Sequence, residues 1–257
     1  MPARDLRLLT KAARQSGEIA RRHWRATPEV WDKPGGAGPV TEADLEIDRM
    51  LQATLCAERP GYGWLSEESE DSAARLSCNR VFIVDPIDGT RAFVNGEPTF
   101  AHSLAIATAG KITAAVVYLP IPDKLYTASA TGPAELNGVP ISNSGAIFDG
   151  ARVLASKSNL APGNWGGTDL PVSRHFRPSL AYRMCLVADG AFDAMLSLRD
   201  TWEWDVAAGC LIAARAGARV TDANGVAPTF NNPTPKIAGL IAATELVHAG
   251  LRQRLTQ

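Results

Sequence analysis

The sequence predicts a mixed α/β fold, with helices on a mostly antiparallel sheet in its first half and an α/β layer in its second. Three observations support this class. Apolar residues recur at helical spacing over 6–25, and short apolar runs typical of strands follow over 81–119. After Gly150 the two patterns alternate. Two subdomains, 1–150 and 151–257, are therefore expected to meet near residue 150.

Two helices are expected before residue 60. The first covers 6–25 and is amphipathic. The Gly- and Pro-rich run 31–39 interrupts it. The second helix starts at Thr41 and ends before the turn at Pro60.

The remaining elements follow from runs of apolar residues and the turns between them. In the first half we expect a buried strand over 81–84 that ends at Asp85, a hairpin of 100–108 and 111–119, and strands over 124–130 and near Leu136. In the second half we expect a strand near Val153, an apolar run over 180–188, a helix over 205–216, strands near Val220 and over 237–242, and a closing helix from Glu245. The irregular stretch 158–171 is either a mobile loop near a site entrance or a surface connection.

Composition excludes several classes of protein. The 257 residues carry 26 Lys and Arg against 27 Asp and Glu, a net charge of -1, which argues against a surface built for a nucleic acid polymer or an anionic membrane. No apolar run reaches the ~18 residues that cross a bilayer, and no signal-peptide core is present, so a cytoplasmic protein is predicted. The four cysteines are far apart and are expected to be buried free thiols. The four scattered histidines suggest neither a transition-metal site nor a Ser-His-Asp triad.

The most informative segment is Val-Asp-Pro-Ile-Asp-Gly-Thr at 84–90. A strand brings Asp85 and Asp88 into a turn, and Gly89 and Thr90 follow where a helix could begin. Carboxylate oxygens beside free backbone N–H groups suit a metal ion that bridges to a phosphate. The alternative is that Asp-Pro and Asp-Gly are ordinary turn residues.

Two further acidic features lie elsewhere in the chain. Glu67 and Glu68 follow a short apolar segment. Asp205 stands where a helix is expected to begin, so it could be a helix cap instead of a ligand.

Together these segments resemble one family. Ser-Glu-Glu-Ser at 66–69, Asp-Pro-Ile-Asp-Gly-Thr at 85–90 and Trp-Asp-Val-Ala-Ala-Gly at 204–209 are similar, in order and separation, to motifs of the inositol monophosphatase superfamily of magnesium-dependent, lithium-sensitive phosphatases. The resemblance runs from 40–44 to the closing helix. It implies a layered αβαβα sandwich of the sugar-phosphatase type, with the site at the junction of the two subdomains, and a homodimer.

The resemblance also implies a site for two or three Mg2+ ions. Glu67, Asp85 and the carbonyl of Ile87 would hold one ion, and Glu67 would thereby count among the catalytic residues. Asp85, Asp88 and Asp205 would hold a second, and Asp205 would also contact the substrate. Glu68 is expected outside this set.

The family pattern assigns catalytic and phosphate-binding roles as well. Asp44 and Thr90 match the pair that orients the attacking water, and Gly89 with Thr90 would offer backbone N–H groups to the phosphate. Asp44 also fits an N-terminal capping box with Thr41, and both roles can hold together.

Physical chemistry supports the same assignment without the family name. Oxygen ligands select a hard cation such as Mg2+ over zinc. A phosphomonoester is nearly a dianion, so a pocket of four carboxylates would repel it unless cations intervene. Two ions about 4 Å apart could neutralise that charge, activate a water and stabilise the leaving alkoxide.

Two other function classes remain open at this stage. Haloacid-dehalogenase-like phosphatases use a nucleophilic Asp in Asp-x-Asp-Gly-Thr, whereas here the spacing is one residue longer and lies in mid-chain, with Asp85 as the candidate nucleophile. A non-catalytic metal- or phosphate-binding protein of the same fold is the other alternative.

The substrate would be a small phosphate ester, and the sequence favours 3'-phosphoadenosine 5'-phosphate slightly over inositol or sugar phosphates. Inositol phosphatases carry an acidic residue before Trp-Asp, where this chain has Leu198, although Asp200 is close. Ser66 in place of Gly resembles the bisphosphate nucleotidase branch. Arg183 could bind a second phosphate, or could be a surface arginine lying along an apolar run. Histidinol phosphate is a third possibility.

Overall fold

A computed structural model describes residues 2–26, 29–32 and 38–256. The helices are α1 (Pro2–His23), α2 (Glu42–Glu58), α3 (Thr90–Val94), α4 (Leu180–Ala188), α5 (Glu203–Arg215) and α6 (Glu245–Arg254). The strands are β1 (Val30–Asp32), β2 (Pro39–Thr41), β3 (Gly63–Ser66), β4 (Arg80–Asp88), β5 (Ala101–Thr108), β6 (Lys111–Leu119), β7 (Lys124–Ser129), β8 (Ala134–Leu136), β9 (Val139–Pro140), β10 (Arg152–Leu154), β11 (Ser173–His175), β12 (Ala194–Ser197), β13 (Thr201–Trp202), β14 (Arg219–Thr221), β15 (Lys236–Ile237) and β16 (Leu240–Ala243).

The first half of the chain forms a seven-stranded sheet in the order β3-β4-β5-β6-β7-β8-β9. β3 and β4 are parallel, and every other neighbouring pair is antiparallel. Alternate residues of β4 point to opposite faces: Phe82 and Val84 pack against α1 and α2, whereas Val81 and Ile83 belong to the core on the other face. Burial on both faces explains why this strand is an unbroken apolar run.

The second half forms a five-stranded sheet in the order β11-β10-β12-β16-β14. Helices α4 and α5 lie between the two sheets: α5 contacts β5 and β6 on one side and β14 on the other, and α4 contacts β12. Helix α6 covers the far face, where Val247 and Leu251 pack against Val153, Leu196 and Ile241. The layers are therefore helix, sheet, helix, sheet, helix, which confirms the predicted αβαβα sandwich.

Several element boundaries differ from the predicted ones. Helix α1 begins at Pro2 instead of 6 and ends at His23 instead of 25, and the strand predicted over 237–242 is two strands, β15 and β16, which belong to different sheets. Two further differences lie at the acidic segments. The strand expected to end at Asp85 continues to Asp88, because β5 pairs with it beyond a register shift between these two residues. Helix α5 begins at Glu203, two residues before the predicted start, with Trp202 as its N-cap. Asp205 is therefore the third residue of the helix and not its N-cap.

Two irregular segments contain short regular elements. Part of the run 31–39 belongs to the antiparallel pair β1–β2, and residues 33–37 lie outside the described residues. The stretch 158–171 holds two 3-10 turns and the fully buried Trp165, which packs in the cluster beneath α6. Whether this stretch is mobile stays a prediction.

The cysteines agree with the sequence prediction only in part. All four cysteines are free, as predicted, but only Cys185 and Cys210 are buried, while Cys56 and Cys78 are half-buried. Within the described residues, no helix is long and apolar enough to cross a bilayer.

Candidate active site

Three carboxylates from different elements meet at one edge of the seven-stranded sheet. β3 and β4 are parallel, so their C-terminal ends lie at the same edge; Glu67 directly follows β3, and Asp85 lies near the end of β4. The backbone N–H of Glu67 donates to the carbonyl of Val84 at 3.2 Å. Asp205, in the first turn of α5, completes the group. One carboxylate oxygen from each of the three lies within 4.8 Å of the others.

The electrostatics of this group suit a bound cation. Asp85 is 1% exposed, and its Oδ1 has no hydrogen-bond partner among the described residues. Burial, followed by repulsion from Glu67, Asp88 and Asp205, raises the pKa of Asp85 well above its usual value. Burial, followed by repulsion from Asp88 and Glu67, also raises the pKa of Asp205 well above its usual value, although the charge of Arg199 opposes the rise. An orphaned carboxylate oxygen among like charges is the environment that a divalent cation stabilises, so these residues fit a hard metal ion.

Asp88 lies at the wall of the site and connects it to α4. Its Oδ2 accepts hydrogen bonds from the Ser179 hydroxyl at 2.6 Å and the Ala181 N–H at 2.7 Å. Burial raises the pKa of Asp88 to about 6, although these two hydrogen bonds oppose the rise. No residue in the described ranges donates to Oδ1, which leaves that oxygen for a ligand. Asp88 is not one of the three carboxylates within 4.8 Å.

The structure brings Asp44 and Thr90 together, as the sequence predicts. Thr41 is the N-cap of α2 and forms a capping box with Asp44. Asp44 Oδ2 accepts hydrogen bonds from the Thr41 N–H at 2.8 Å and its hydroxyl at 2.5 Å. The Thr90 hydroxyl lies 3.3 Å from Asp44 Oδ1 and 3.1 Å from the Ile87 carbonyl oxygen. The capping role and the contact with Thr90 therefore use different oxygens of one carboxylate.

Gly89 starts helix α3 in a conformation that other residues rarely adopt. Its φ of 96° is left-handed, which lets the chain turn sharply from β4 into α3. The first N–H groups of a helix have no partners within the helix. The turn therefore presents backbone donors beside the carboxylates.

A cavity of about 650 Å3 joins these elements. Six of the residues predicted for the site line it, namely Glu67, Asp88, Gly89, Thr90, Arg183 and Asp205. The remaining three, Asp44, Asp85 and Ile87, are buried next to it.

Arg183 is not the surface arginine that one alternative expected. It is 6% exposed, and its guanidinium stacks 4.4 Å from the centre of the Phe176 ring. Its Nε donates to the Arg177 carbonyl and its Nη2 to the Pro178 carbonyl. Burial lowers its pKa to about 10, so it stays charged at neutral pH.

Sequence reasoning missed three residues at the site. Ser179 precedes an apolar run, which is an N-cap signal, and it does cap α4. Arg199 lines the cavity, is exposed, and forms no side-chain hydrogen bond or ion pair with any residue in the described part of the chain. His102 is buried, with its Nδ1 2.5 Å from the Pro86 carbonyl; burial lowers its pKa to about 4. Neither Arg199 nor His102 stands in a recognisable motif.

The two residues considered for contact with the alcohol lie elsewhere. Leu198 packs against the apolar cluster beneath α6. Asp200 lines a second cavity of about 440 Å3, with Trp202 and Trp204. Arg199, Glu67 and Asp205 line both cavities, which are therefore adjacent.

Fold and site together define a class of protein. A layered α/β sandwich presents buried carboxylates, backbone donors and arginines to one polar cavity. Such a site can hold a phosphate dianion only if cations neutralise the carboxylates, which is how metal-dependent phosphomonoesterases work.

Comparison with known proteins gives the family. The model of the inositol monophosphatase family matches residues 3–256. An inositol-1-monophosphatase of Rhizobium meliloti is 37% identical over 202 residues, 74% of each chain. An inositol-1-monophosphatase of Mesorhizobium japonicum is 30% identical over 261 residues, which cover 96% of this chain and 94% of that relative. The solved structure of extragenic suppressor protein suhB from Bartonella henselae has a TM-score of 0.82 at 28% identity, covering 98% of each chain. The chain belongs to the inositol monophosphatase family and is a phosphoric monoester hydrolase.

Proposed function

We propose that the protein hydrolyses a small phosphomonoester with Mg2+ and a metal-activated water. The observation that carries the proposal is the convergence of Glu67, Asp85 and Asp205 within 4.8 Å at the cavity. Glu67, Asp85 and the Ile87 carbonyl would hold one ion, and Asp85, Asp88 and Asp205 a second. Oxygen ligands alone favour Mg2+ over softer metals.

The residues of the chain have separate tasks in this mechanism. Bound Mg2+ would neutralise the phosphate and lower the pKa of a water. Asp44 accepts from the Thr90 hydroxyl, and this pair orients the attacking water and receives its proton. The N–H groups of Gly89 and Thr90 donate to the phosphate oxygens, as donors at a helix start do in many phosphate sites.

The test is phosphate release from small phosphoesters with Mg2+ and with chelator. We expect turnover only with Mg2+, and its loss in Asp88→Asn, because this variant removes one ligand charge. A phosphoaspartate trapped on Asp85 would contradict the metal-water mechanism. Failure to hydrolyse any substrate of a broad panel, despite Mg2+ binding, would favour a non-catalytic protein.

For the substrate, we propose inositol monophosphate first. Two relatives that are at least 30% identical are named inositol-1-monophosphatases. Ser156 and Ser158 line the cavity with hydroxyl groups, which suits a hydroxyl-rich alcohol, whereas the side-chain amide of Asn159 already binds the backbone of Leu196 and Leu198. Leu198 offers no carboxylate to inositol hydroxyls, so recognition would depend on these groups.

The second candidate substrate is 3'-phosphoadenosine 5'-phosphate. Arg199 is the observation that favours it, because this exposed guanidinium, which acts on Asp205 only through its charge and forms no side-chain hydrogen bond or ion pair with the described residues, could bind a second phosphate. Arg183 adds a second positive charge to the wall, although two of its nitrogens already bind carbonyl groups.

Side-by-side kinetics with inositol monophosphate, 3'-phosphoadenosine 5'-phosphate and histidinol phosphate separate these candidates. If the nucleotide is the substrate, Arg199→Ala and Arg183→Ala raise its KM far more than that of inositol monophosphate. Arg14→Ala is the control, since Arg14 lies on α1 and its ion-pair partner is Asp123. Preference for inositol monophosphate with no effect of Arg183→Ala would exclude the nucleotide.

Three further properties are proposed: inhibition by lithium and a homodimer, both from the family, and a cytoplasmic location, from the sequence. Lithium titration of the Mg2+-dependent activity and light scattering of the purified protein test the first two. Fractionation of the source cells tests the third.

A further inference from the structure

One buried carboxylate on α2 binds both ends of the turn that carries Glu67. Asp48 is 5% exposed. Its Oδ1 accepts a hydrogen bond from the Ser66 hydroxyl at 2.5 Å, and its Oδ2 accepts one from the Ser69 hydroxyl. Glu67 and Glu68 lie between these two serines. The two oxygens of one side chain therefore fix the turn on both sides of the acidic pair.

Other contacts tighten the same turn. The Trp64 indole N–H donates to the Ser69 hydroxyl oxygen at 3.2 Å, and the Glu68 N–H lies 3.4 Å from the Ser66 hydroxyl oxygen. Ser66 is itself buried and does not line either cavity at the site. The serine that resembled a nucleotidase feature thus binds Asp48 and does not face the substrate.

Helix α2 links this turn to the water-orienting pair. Asp44 and Asp48 are four residues apart and so lie on one face of the helix. The side chains of Ile47 and Leu51 are fully buried and hold that face against the sheet. One face of α2 therefore positions both Thr90, through Asp44, and the turn around Glu67, through Asp48.

We propose that Asp48 is a positioning residue for the metal site, which holds Glu67 ready to bind Mg2+ through Ser66 and Ser69. This inference rests on the proposed function. Side chains that orient metal ligands typically change metal affinity by about 10- to 100-fold when they are removed. Without Asp48, ordering of the turn must accompany metal binding, and affinity falls accordingly.

The experiment measures Mg2+ binding by calorimetry without substrate. We expect Asp48→Ala to raise the Kd for Mg2+ by about 10- to 100-fold. Asp48→Asn should raise it less, because the amide keeps one acceptor oxygen. The double variant Ser66→Ala/Ser69→Ala should weaken binding like Asp48→Ala, and it keeps the proposal testable if Asp48→Ala does not fold. In activity assays, the Mg2+ concentration for half-maximal rate should rise by the same factor, with kcat recovering at saturating Mg2+.

A matched control separates positioning from general destabilisation. Asp5 is also a buried carboxylate with two side-chain donors, Arg59 at 3.0 Å and Tyr62 at 3.2 Å, and it lies on α1. Asp5→Ala should lower the Tm but leave the Kd for Mg2+ unchanged. The inference about Asp48 would be overturned if wild type and Asp48→Ala had equal Kd values for Mg2+, or if Asp5→Ala raised this Kd as much as Asp48→Ala does. Either result would leave the proposed function standing. Absence of Mg2+ binding by the wild type would overturn the proposed function as well.

Discussion

At the edge of the cavity, the Asp85 carboxylate is buried beside Glu67, Asp88 and Asp205, and its pKa is raised by burial and by their charges. Without a cation this arrangement destabilises the folded chain, since each charge is removed from water and faces like charges. Asp193 is buried too, yet it accepts hydrogen bonds from Ser144 and Arg152. Although burial raises the pKa of Asp193, these hydrogen bonds lower it overall.

The first prediction follows from this contrast. Asp85→Asn should abolish activity, by about a thousandfold or more, because metal charge stabilisation contributes several kcal/mol and ~1.4 kcal/mol is tenfold. The same change should stabilise the chelator-treated protein by about 1–2 kcal/mol in urea unfolding. The control Asp193→Asn should instead destabilise it. Loss of stability in both variants would argue against charge repulsion at the site.

His248 gives a prediction for pH. It is buried on α6 with its Nε2 2.9 Å from the Thr221 hydroxyl oxygen, and burial, with Arg219 and Arg252, lowers its pKa to about 4. An unfolded histidine has a pKa of about 6.5, so between these values only the unfolded chain binds a proton. The stability that neutral His248 contributes is therefore lost as pH falls from about 6.5 towards 4, by roughly 1–3 kcal/mol.

Urea unfolding at pH 7 and pH 5 measures this effect. His248→Gln keeps a group that can hydrogen-bond to Thr221 but does not titrate. The wild type should lose more stability than the variant between the two pH values, and equal losses would show that His248 is not the cause.

At the scale of residues, the sequence predicted mainly those site members that stand in short motifs. Asp85, Asp88, Gly89 and Thr90 are consecutive or nearly so, and their motif marks them. The contact between Asp88 and Ser179 joins residues 91 positions apart, and only the tertiary fold, which places the start of α4 beside the end of β4, creates it. Arg199 was missed for the same reason, because a lone arginine in a loop has no local signal.

The elements around the site depend on one glycine. Gly89 lies between β4 and α3 as the N-cap of α3, with a φ of 96°, and a Cβ added there would meet no atom closer than 3.6 Å. A Cβ would therefore fit at this position. What restricts the position to glycine is its left-handed backbone conformation. Gly138, in the turn between β8 and β9, has a φ of 80° and nothing within 4 Å of an added Cβ.

This pair makes a second matched experiment. Gly89→Ala and Gly138→Ala should each destabilise the protein by about 1–2 kcal/mol, because alanine is strained at these angles. Only Gly89→Ala should also lower kcat, since it moves the N–H groups at the start of α3. Thermal unfolding and steady-state kinetics on both variants check this. An unchanged kcat in Gly89→Ala would show that the N–H groups at the start of α3 do not take part in the mechanism.

Periodicity predicted the elements better than their ends. The hairpin of β5 and β6 was predicted from the Ala-Gly pair between two apolar runs. In the structure, Ala109 and Gly110 both adopt positive φ in the tight turn that joins these strands. The predicted end of β4 was wrong, because a proline within a strand normally signals a turn. In the structure, a register shift against β5 keeps Asp88 paired. Strand pairing is a long-range property that no local window contains.

At the scale of the whole molecule, the near-neutral net charge conceals a local gathering of charges of both signs. Glu67, Asp88 and Asp205 line the same cavity as Arg91, Arg183 and Arg199. The protein can therefore bind an anionic ester without a basic surface, provided that cations neutralise the carboxylates.

The division into subdomains at residue 150 remains a prediction, and the core shows why the two halves should unfold together. The cluster around α4 and α5 takes Ile83, Val117 and Tyr126 from the first sheet and Leu154 and Ala242 from the second. The clusters beneath α1 and α2 and beneath α6 each belong to one half, but this middle cluster would be divided if the halves separated. Each half would expose a large apolar surface on separation.

Arg75 adds a polar connection between the same halves. It is buried, pairs with Asp71 through Nε at 2.6 Å and through Nη2 at 2.8 Å, and donates to Asn231 Oδ1 at 2.6 Å and to the Asn232 carbonyl at 3.0 Å. Glu203, at the start of α5, accepts from the N–H groups of the same two asparagines. This network ties the first half to the helix that carries Asp205.

Calorimetry should therefore show one unfolding transition, with equal calorimetric and van't Hoff enthalpies, in the protein freed of metal by chelator. Arg75→Ala should lower its midpoint, since it removes the hydrogen bonds of a buried guanidinium, each worth about 1 kcal/mol, but the transition should stay single because the apolar core shared by both halves is unchanged. Two resolved transitions in the wild type would contradict a common core. Two transitions in Arg75→Ala, with a single one in the wild type, would mean that polar contacts, and not the apolar cluster, couple the two halves.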